Sequence, residues 1–221
     1  MQLSDFHNKH AGQTCLIVGV GPNLELTPPE WFDYPSFGVN TIYKRAGDWK
    51  PTYFVGVDEE LLKRDGAAIV EAYRDVPKFF PRPDFDSLQG DNIYRFAHRT
   101  GADLFIGGQS PKDPRALTHT GITYRRIMDA VFQIAWHMGF TTMLLIGVDH
   151  GPDRKAHFWG SAEYEPQKDF AFEELGYQEC LRAMNGVRVL NISEGTHVPD
   201  SILPRGDWNT WASLKRVKVL S

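Results

Sequence analysis

The chain has 221 residues, with 24 Lys and Arg against 28 Asp and Glu for a formal charge of −4, and 42% of it is AVILMFWYC. At that length a single core buries roughly 70–75% of the surface the unfolded chain exposes, so neither disulfides nor a structural metal are required, and the ordinary apolar content excludes a disordered chain. The negative balance excludes general nucleic-acid binding through bulk positive charge; the tail Lys215-Arg216-Val217-Lys218-Val219 is too small a basic edge to alter that.

Cys15 and Cys180, the only cysteines, lie in apolar segments far apart in the chain, which gives no metal spacing and no disulfide framework and points to a reduced, cytoplasmic setting. The opening Met1 to His7 lacks the basic patch and apolar run of a secretory signal. Ala130 to Val148 carries no Asp, Glu, Lys or Arg and is long enough for a membrane span. It is interrupted by Gln133, His137, Gly139, Thr141 and Thr142, and its periodicity changes midway. The expectation is a buried helix ending near Gly139, then a buried strand, with no membrane span.

In chain order, Thr14 to Val18 is a short continuous apolar run broken by Gly19, Gly21 and Pro22, the pattern of a strand buried on both faces. Ser36 to Asn40 and Pro51 to Asp58 repeat that grammar, the second leading into a charged helical stretch from Glu59 to about Arg74. Short β-like pieces follow at Lys78 to Phe80, Asn92 to Phe96 and Asp103 to Ile106. The clearest helix is expected from Gly121 to Met138, with Ile127, Val131, Ile134 and Met138 on one face and Gly139 as its stop. Thr141 to Ile146 is the matching strand, Lys168 to Met184 a further helix, and Val187 to Asn191 a last strand. Strands alternating with helices imply an α/β fold with a mostly parallel sheet and helices on both faces. No interior linker is evident, so residues 1–221 read as one nucleotide-binding-type domain, with residues from about 192 to 221 as a C-terminal extension.

Tyr53 to Asp58 and Leu144 to Asp149 share one pattern, an apolar strand followed by Gly, Val and Asp. In an open parallel sheet ligands bind outside the carboxyl ends of the strands, where both aspartates would stand. Asp58 reads equally as the cap of the helix that follows. Asp149 is followed by His150-Gly151-Pro152-Asp153, a loop, and reads as ligand-facing. Gly19-Val20-Gly21-Pro22-Asn23 follows the first strand and suits either a phosphate cradle of backbone N–H groups or a plain tight turn; it lacks the third Gly of a dinucleotide fingerprint and the Lys-Ser/Thr of a P-loop. Thr120-Gly121 before the long helix is an N-cap or a phosphate or sugar contact, with Arg125 and Arg126 nearby. His150 and His157 lie in a loop that is both aromatic and ionisable, where a histidine serves as general base or as donor to a leaving phosphate. Asp149, His150, Asp153 and His157 match no zinc signature; magnesium at the aspartates is the candidate ion. No Gly-x-Ser-x-Gly or exposed Cys–His arrangement is present, which disfavours an acyl-enzyme. Asn191 to Pro199 is a polar, turn-rich stretch that reaches the crevice or is simply a surface loop. Trp208 and Trp211 read as packing anchors, with a homo-oligomer contact as the alternative.

Taken together, Ile17 to Leu24, Phe37-Gly38-Val39-Asn40, the strand to Asp58, Thr120-Gly121, Gly139-Phe140 and Ile146-Gly147-Val148-Asp149 resemble the superfamily of bacterial family-42 sialyltransferases and MptE-like 6-hydroxymethylpterin diphosphokinases. The landmarks run from about residue 14 to about 160. The resemblance implies a Rossmann-like domain that binds a nucleotide at the carboxyl edge of its sheet, with Gly19, Gly21, Pro22, Asn23, Asn40, Asp58, Thr120 and Gly121 as nucleotide-binding residues and Asp149 beside the reaction centre. The chain departs from the sialyltransferase pattern at Val20 and Asp58, where those enzymes carry Asn, and at Gly151 and His157, where they carry Tyr; Asp58 is closer to the MptE-like branch.

The leading expectation is a transferase using a nucleotide-sugar donor and a small-molecule or glycan acceptor hydroxyl, with His157, Asp149 and His150 as catalytic residues and no tightly bound organic cofactor. The alternatives are an MptE-like pyrophosphokinase using a nucleoside triphosphate, with magnesium on Asp58 and Asp149, and a nucleotide-binding protein without catalysis.

Overall fold

The computed structural model describes residues 3–82, 86–99, 109–110, 113–117, 122–124, 126–150, 158 and 170–213. The strands expected from apolar runs form where those runs lie: β1 Thr14–Val18, β2 Ser36–Val39, β3 Tyr53–Val55, β4 Lys78–Arg82 and β5 Ile93–Arg99. A two-stranded antiparallel pair, β6 Gln109–Ser110 and β7 Asp113–Leu117, follows, then β8 Ile122–Thr123, β9 Thr142–Ile146 and β10 Arg188–Asn191. The helices are α1 Glu59–Ala72, α2 Ile127–His137, α3 Ala171–Ala183 and the short α4 Trp208–Trp211.

The main sheet has the order β10-β9-β1-β2-β3-β4-β5-β8, seven strands with the two-residue β8 added at one edge. Every pairing is parallel. Successive residues of a strand face opposite sides, and here both sides are apolar. Cys15, Ile17, Phe37, Val39, Tyr53, Val55, Met143 and Leu145 face one core, with Val131, Ile134 and Ala135 of α2 and Tyr177 and Cys180 of α3. Leu16, Val18, Phe54, Leu144 and Ile146 face the other, with Leu61, Leu62 and Ile69 of α1. Helices therefore cover both faces of an all-parallel sheet, the Rossmann-like α/β arrangement.

From β1 the chain steps outward through β2, β3, β4 and β5 to β8. It then returns through α2 to place β9 on the other side of β1, and continues to β10. The direction of winding reverses between β1 and β9, and the carboxyl ends of strands at such a reversal are where open parallel sheets bind ligands.

The strand expected from Asp103 to Ile106 lies outside the described residues, and the boundary that differs most from expectation is the start of α2. The helix expected from Gly121 begins only at Ile127, because Ile122 and Thr123 add to the sheet beside His98 and Arg99 of β5. β-Branched residues favour that pleated surface, and the start of α2 is instead marked by Asp129, whose Oδ2 accepts from the Arg126 N–H at 3.1 Å. The segment at 130–148 divides as expected into α2 and β9, and among the described residues no helix is long and apolar enough to cross a membrane.

Candidate functional site

Five adjacent strands, β10, β9, β1, β2 and β3, deliver the segments that build the carboxyl edge. After β1 the chain enters a 3-10 turn at Pro22–Glu25. The Gly21 N–H donates to Gly147 O at 2.8 Å, and the Asn23 N–H donates to Asp149 Oδ2 at 2.8 Å. A Cβ on Gly21 would stand 2.1 Å from that same Oδ2. Glycine at 21 is thus required by the approach of a carboxylate 128 positions away in the chain, a contact with no local signature. Gly147, at φ +64°, turns β9 out of the sheet so that Val148 and Asp149 reach across to β1.

Asp149 is 5% exposed. Its Oδ1 is buried with no hydrogen-bond partner among the described residues, at a cost of about 1–3 kcal/mol for an acceptor in that state. Burial pushes the Asp149 carboxyl up to about 6, against the opposing effects of the Asn23 N–H and the charge of His197.

The segment after β10, open between crevice and surface loop on sequence grounds, is stitched to the same place. Thr196 Oγ1 donates to Val148 O at 2.8 Å, and Asn191 Nδ2 donates to that oxygen at 2.9 Å. The Val148 N–H donates to Ser193 Oγ at 3.3 Å, and the His197 N–H donates to Asp149 O at 2.7 Å. The Glu194 N–H reaches Thr27 Oγ1 at 3.0 Å, closing the loop over the turn after β1. His197, exposed and beside Asp149, is the functional candidate that reading the sequence missed; it lies in a Thr-His-Val-Pro stretch with no motif, and only its backbone bond to Asp149 reveals it.

The remaining expected residues separate clearly. Asn40, directly after β2, holds φ +44°, and its Oδ1 is a second buried acceptor with no partner among the described residues. Asp58 is the cap of α1, its Oδ1 accepting from the Leu61 N–H at 3.0 Å. His150, at φ +49°, is turned to α3: its ring stacks on Phe170 at 4.0 Å and on Tyr177 at 5.7 Å, and Nε2 lies 3.3 Å from Tyr177 Oη. That packing assigns His150 to the anchoring of α3. Thr120, Gly121, Arg125, Asp153 and His157 lie outside the described residues, although the late start of α2 removes the helix N-terminus from Thr120-Gly121. Phe158, which follows His157 in the chain, donates its N–H to Val20 O at 3.3 Å, and Arg45 lies 6.0 Å from the centre of its ring.

Magnesium shared by Asp58 and Asp149 does not fit. β3 and β9 are three places apart in the sheet, roughly 14 Å between strand axes at ordinary spacing, whereas one ion draws its oxygens to about 2.1 Å. Among the described residues no group of three or more His, Cys, Asp or Glu is placed to hold a metal ion.

No protein-family model matches the chain, and a comparison with curated proteins returns no match. Among solved structures, the sialyltransferase CstII of Campylobacter jejuni, described in complex with a substrate analogue, cytidine-5′-monophosphate, is similar over 88% of this chain and 85% of its own, with 8% sequence identity and a TM-score of 0.48. The likeness is one of fold.

Proposed function

We propose that the chain is a nucleotide-dependent transferase, and that the reaction best suited to its carboxyl edge is glycosyl transfer from a nucleotide sugar to an acceptor hydroxyl. The observation that carries this reading is Asp149, a buried carboxylate with one oxygen unpartnered among the described residues at the point where the winding of the sheet reverses, with His197 beside it. In that reaction the acceptor oxygen bonds to the anomeric carbon and gives its proton to a base. The bond from that carbon to the donor's phosphate oxygen breaks, and its electron pair leaves with the nucleotide. In this reading His197 takes the proton, and the neighbouring Asp149 carboxylate favours the imidazolium that results. His157, the neighbour of Phe158 in the chain, keeps the two roles the sequence offers it, general base or donor to the leaving phosphate.

Pyrophosphoryl transfer rested on Asp58 and Asp149 acting together on magnesium, and their separation across the sheet leaves no observation that favours it. A panel of nucleotide sugars with small-molecule and glycan acceptors tests the proposal. Release of the nucleotide with a matching glycosylated product is expected for one donor; silence across the panel, with no donor raising the melting temperature, refutes it.

A further inference from the structure

His197 is exposed, and both of its chain neighbours are buried, Thr196 at 5% exposure and Val198 at 0%. The backbone between them is fixed from several directions. The Thr196 hydroxyl has one proton and two lone pairs, and all three are used. It donates to Val148 O at 2.8 Å, with Asp149 O also in reach at 3.3 Å, and accepts from Asn191 Nδ2 and from the Val198 N–H, each at 3.2 Å. The last of these bonds spans His197 and ties residue 196 to residue 198. The peptide joining Thr196 to His197 is held on both sides: its N–H donates to Asp149 O at 2.7 Å, and its C=O accepts from the Arg205 guanidinium, which Asp200 holds in turn at 2.9 Å. Asn191, 0% exposed, completes the frame, its Oδ1 accepting from the Ser193 N–H at 3.1 Å. Asp149 is fixed likewise, since its Oδ2 takes the Asn23 N–H. A loop that only closed the fold could be tied to any strand end. These bonds converge on the carbonyls of Val148 and Asp149, the two residues that carry the buried carboxylate out of β9.

We infer that Thr196 is a positioning residue: its hydroxyl, with Arg205 acting from outside, fixes the backbone of His197 against Asp149, so that an exposed imidazole is presented beside a buried carboxylate in one arrangement. A general base must come within about 2.6–3.2 Å of the oxygen whose proton it takes, and a displacement of about 1 Å can cost a hundredfold in rate. The inference rests on the proposed transfer reaction for what His197 does, and on the geometry alone for where His197 is held.

The test compares Thr196→Val, which keeps the shape and loses the hydroxyl, with Thr196→Ser, which keeps the hydroxyl, and with Arg205→Met, circular dichroism confirming the fold of each. With the donor and acceptor that the panel identifies, Thr196→Val lowers kcat at least about tenfold with KM within about twofold of the wild type, and Thr196→Ser restores most of the loss. Arg205→Met lowers kcat at least about threefold. A smaller loss in a folded Thr196→Val overturns the inference, as does a loss that Thr196→Ser fails to recover; if Thr196→Val does not fold, a smaller loss in Arg205→Met overturns it. A second readout needs no substrate. The charge of His197 lowers the titration of the Asp149 carboxyl, so His197→Gln raises the midpoint read at the Asp149 carboxyl carbon by NMR, by about a few tenths of a pH unit. In the Thr196→Val background, or in Arg205→Met where Thr196→Val does not fold, the same change moves the midpoint less than half as far. A movement that stays more than half as large, or no movement in the wild type, overturns the inference. If no donor is used, the transfer reading fails by itself, and this measurement alone decides where His197 is held.

Discussion

Lys78 and Asp149 are buried ionisable side chains at opposite ends of the sheet, and they are treated in opposite ways. At the amino edge, Lys78 opens β4 with no exposure at all, and its Nζ donates to Tyr73 O at 2.7 Å and Val76 O at 2.8 Å, carbonyls left over where α1 ends. At the carboxyl edge, Asp149 has one oxygen bonded and one with no partner among the described residues. The surroundings differ in the same sense. The N-terminal segment crosses the amino edge with its N–H groups given to His137 O, Met138 O and Gly139 O; His10 Nε2 meets Tyr53 Oη at 2.7 Å, and the Phe6 ring packs edge-on against Phe79 and Tyr94. Positive φ does not divide the two ends, since Asn40 and His150 hold it at the carboxyl edge and Asn8 and Asn92 at the amino edge; the unpartnered oxygen of Asp149 does. At the amino end the buried charge has its hydrogen bonds made, and at the carboxyl end one oxygen of the buried carboxylate is left without a partner among the described residues.

The largest effect that separates the two ends is expected at Phe6. Replacing this buried ring by Ala removes its contacts with Tyr53, Phe79 and Tyr94 and costs about 3–5 kcal/mol, read by urea denaturation, with nucleotide affinity unchanged. A matching fall in affinity of the folded variant would break the division between the ends.

Asp149→Asn is expected to act the other way. Transfer falls at least about a hundredfold, while the protein gains stability at neutral pH. The carboxyl titrates near 6 in the folded chain against the ordinary 3.8. The folded state therefore holds more protons between those values, and wild-type stability falls as pH rises through that window. At pH 7.5 the whole penalty is present, so the variant should be more stable by about 3 kcal/mol, and its stability should be flatter from pH 4 to 6. A variant less stable than the wild type at pH 7.5 would make Asp149 a structural residue like Lys78.

How far the sequence foretold this depends on the distance over which each feature is made. β1, β2, β3 and β9 were legible because a strand buried on both faces must be a continuous apolar run, and each run stops at a Gly or Asn. The cap at Asp58 was legible because its partner, Leu61, is three residues away. Asp149 was singled out for its loop context, but the reason for Gly21 was not visible, since the carboxylate that needs the space arrives from β9. The part played by Thr196 and His197 was hidden likewise, being made by bonds to Val148 and Asp149 across the β9–β10 connection. The start of α2 was misjudged because Thr120-Gly121 has the chemistry of a cap, while the pairing of Ile122 with His98 that decides the matter is a tertiary contact.

Lys78 gives the mirror image of the Asp149 experiment. Burial lowers its ammonium from 10.5 to about 8 in the folded chain, so above pH 8 the unfolded chain holds the extra proton and stability rises with pH. Between pH 8 and 9.5, below the range where tyrosines ionise, the rise is expected to reach about 2 kcal/mol. Lys78→Met should abolish the slope and leave ligand affinity alone; a slope that survives in the variant assigns it to another group.

The smallest effect is expected where the two halves of the carboxyl edge are pinned together. Arg45, held by Glu30 at 2.8 Å, faces the ring of Phe158, whose N–H is bonded to Val20 beside the glycine turn. A cation over an aromatic ring is worth about 0.5–2 kcal/mol, so Phe158→Ala and Arg45→Met should each slow transfer about three- to tenfold with little change in melting temperature. Because both remove the same contact, the double variant should be no slower than the worse single one. Rates that multiply in the double variant would show that Arg45 and Phe158 act independently.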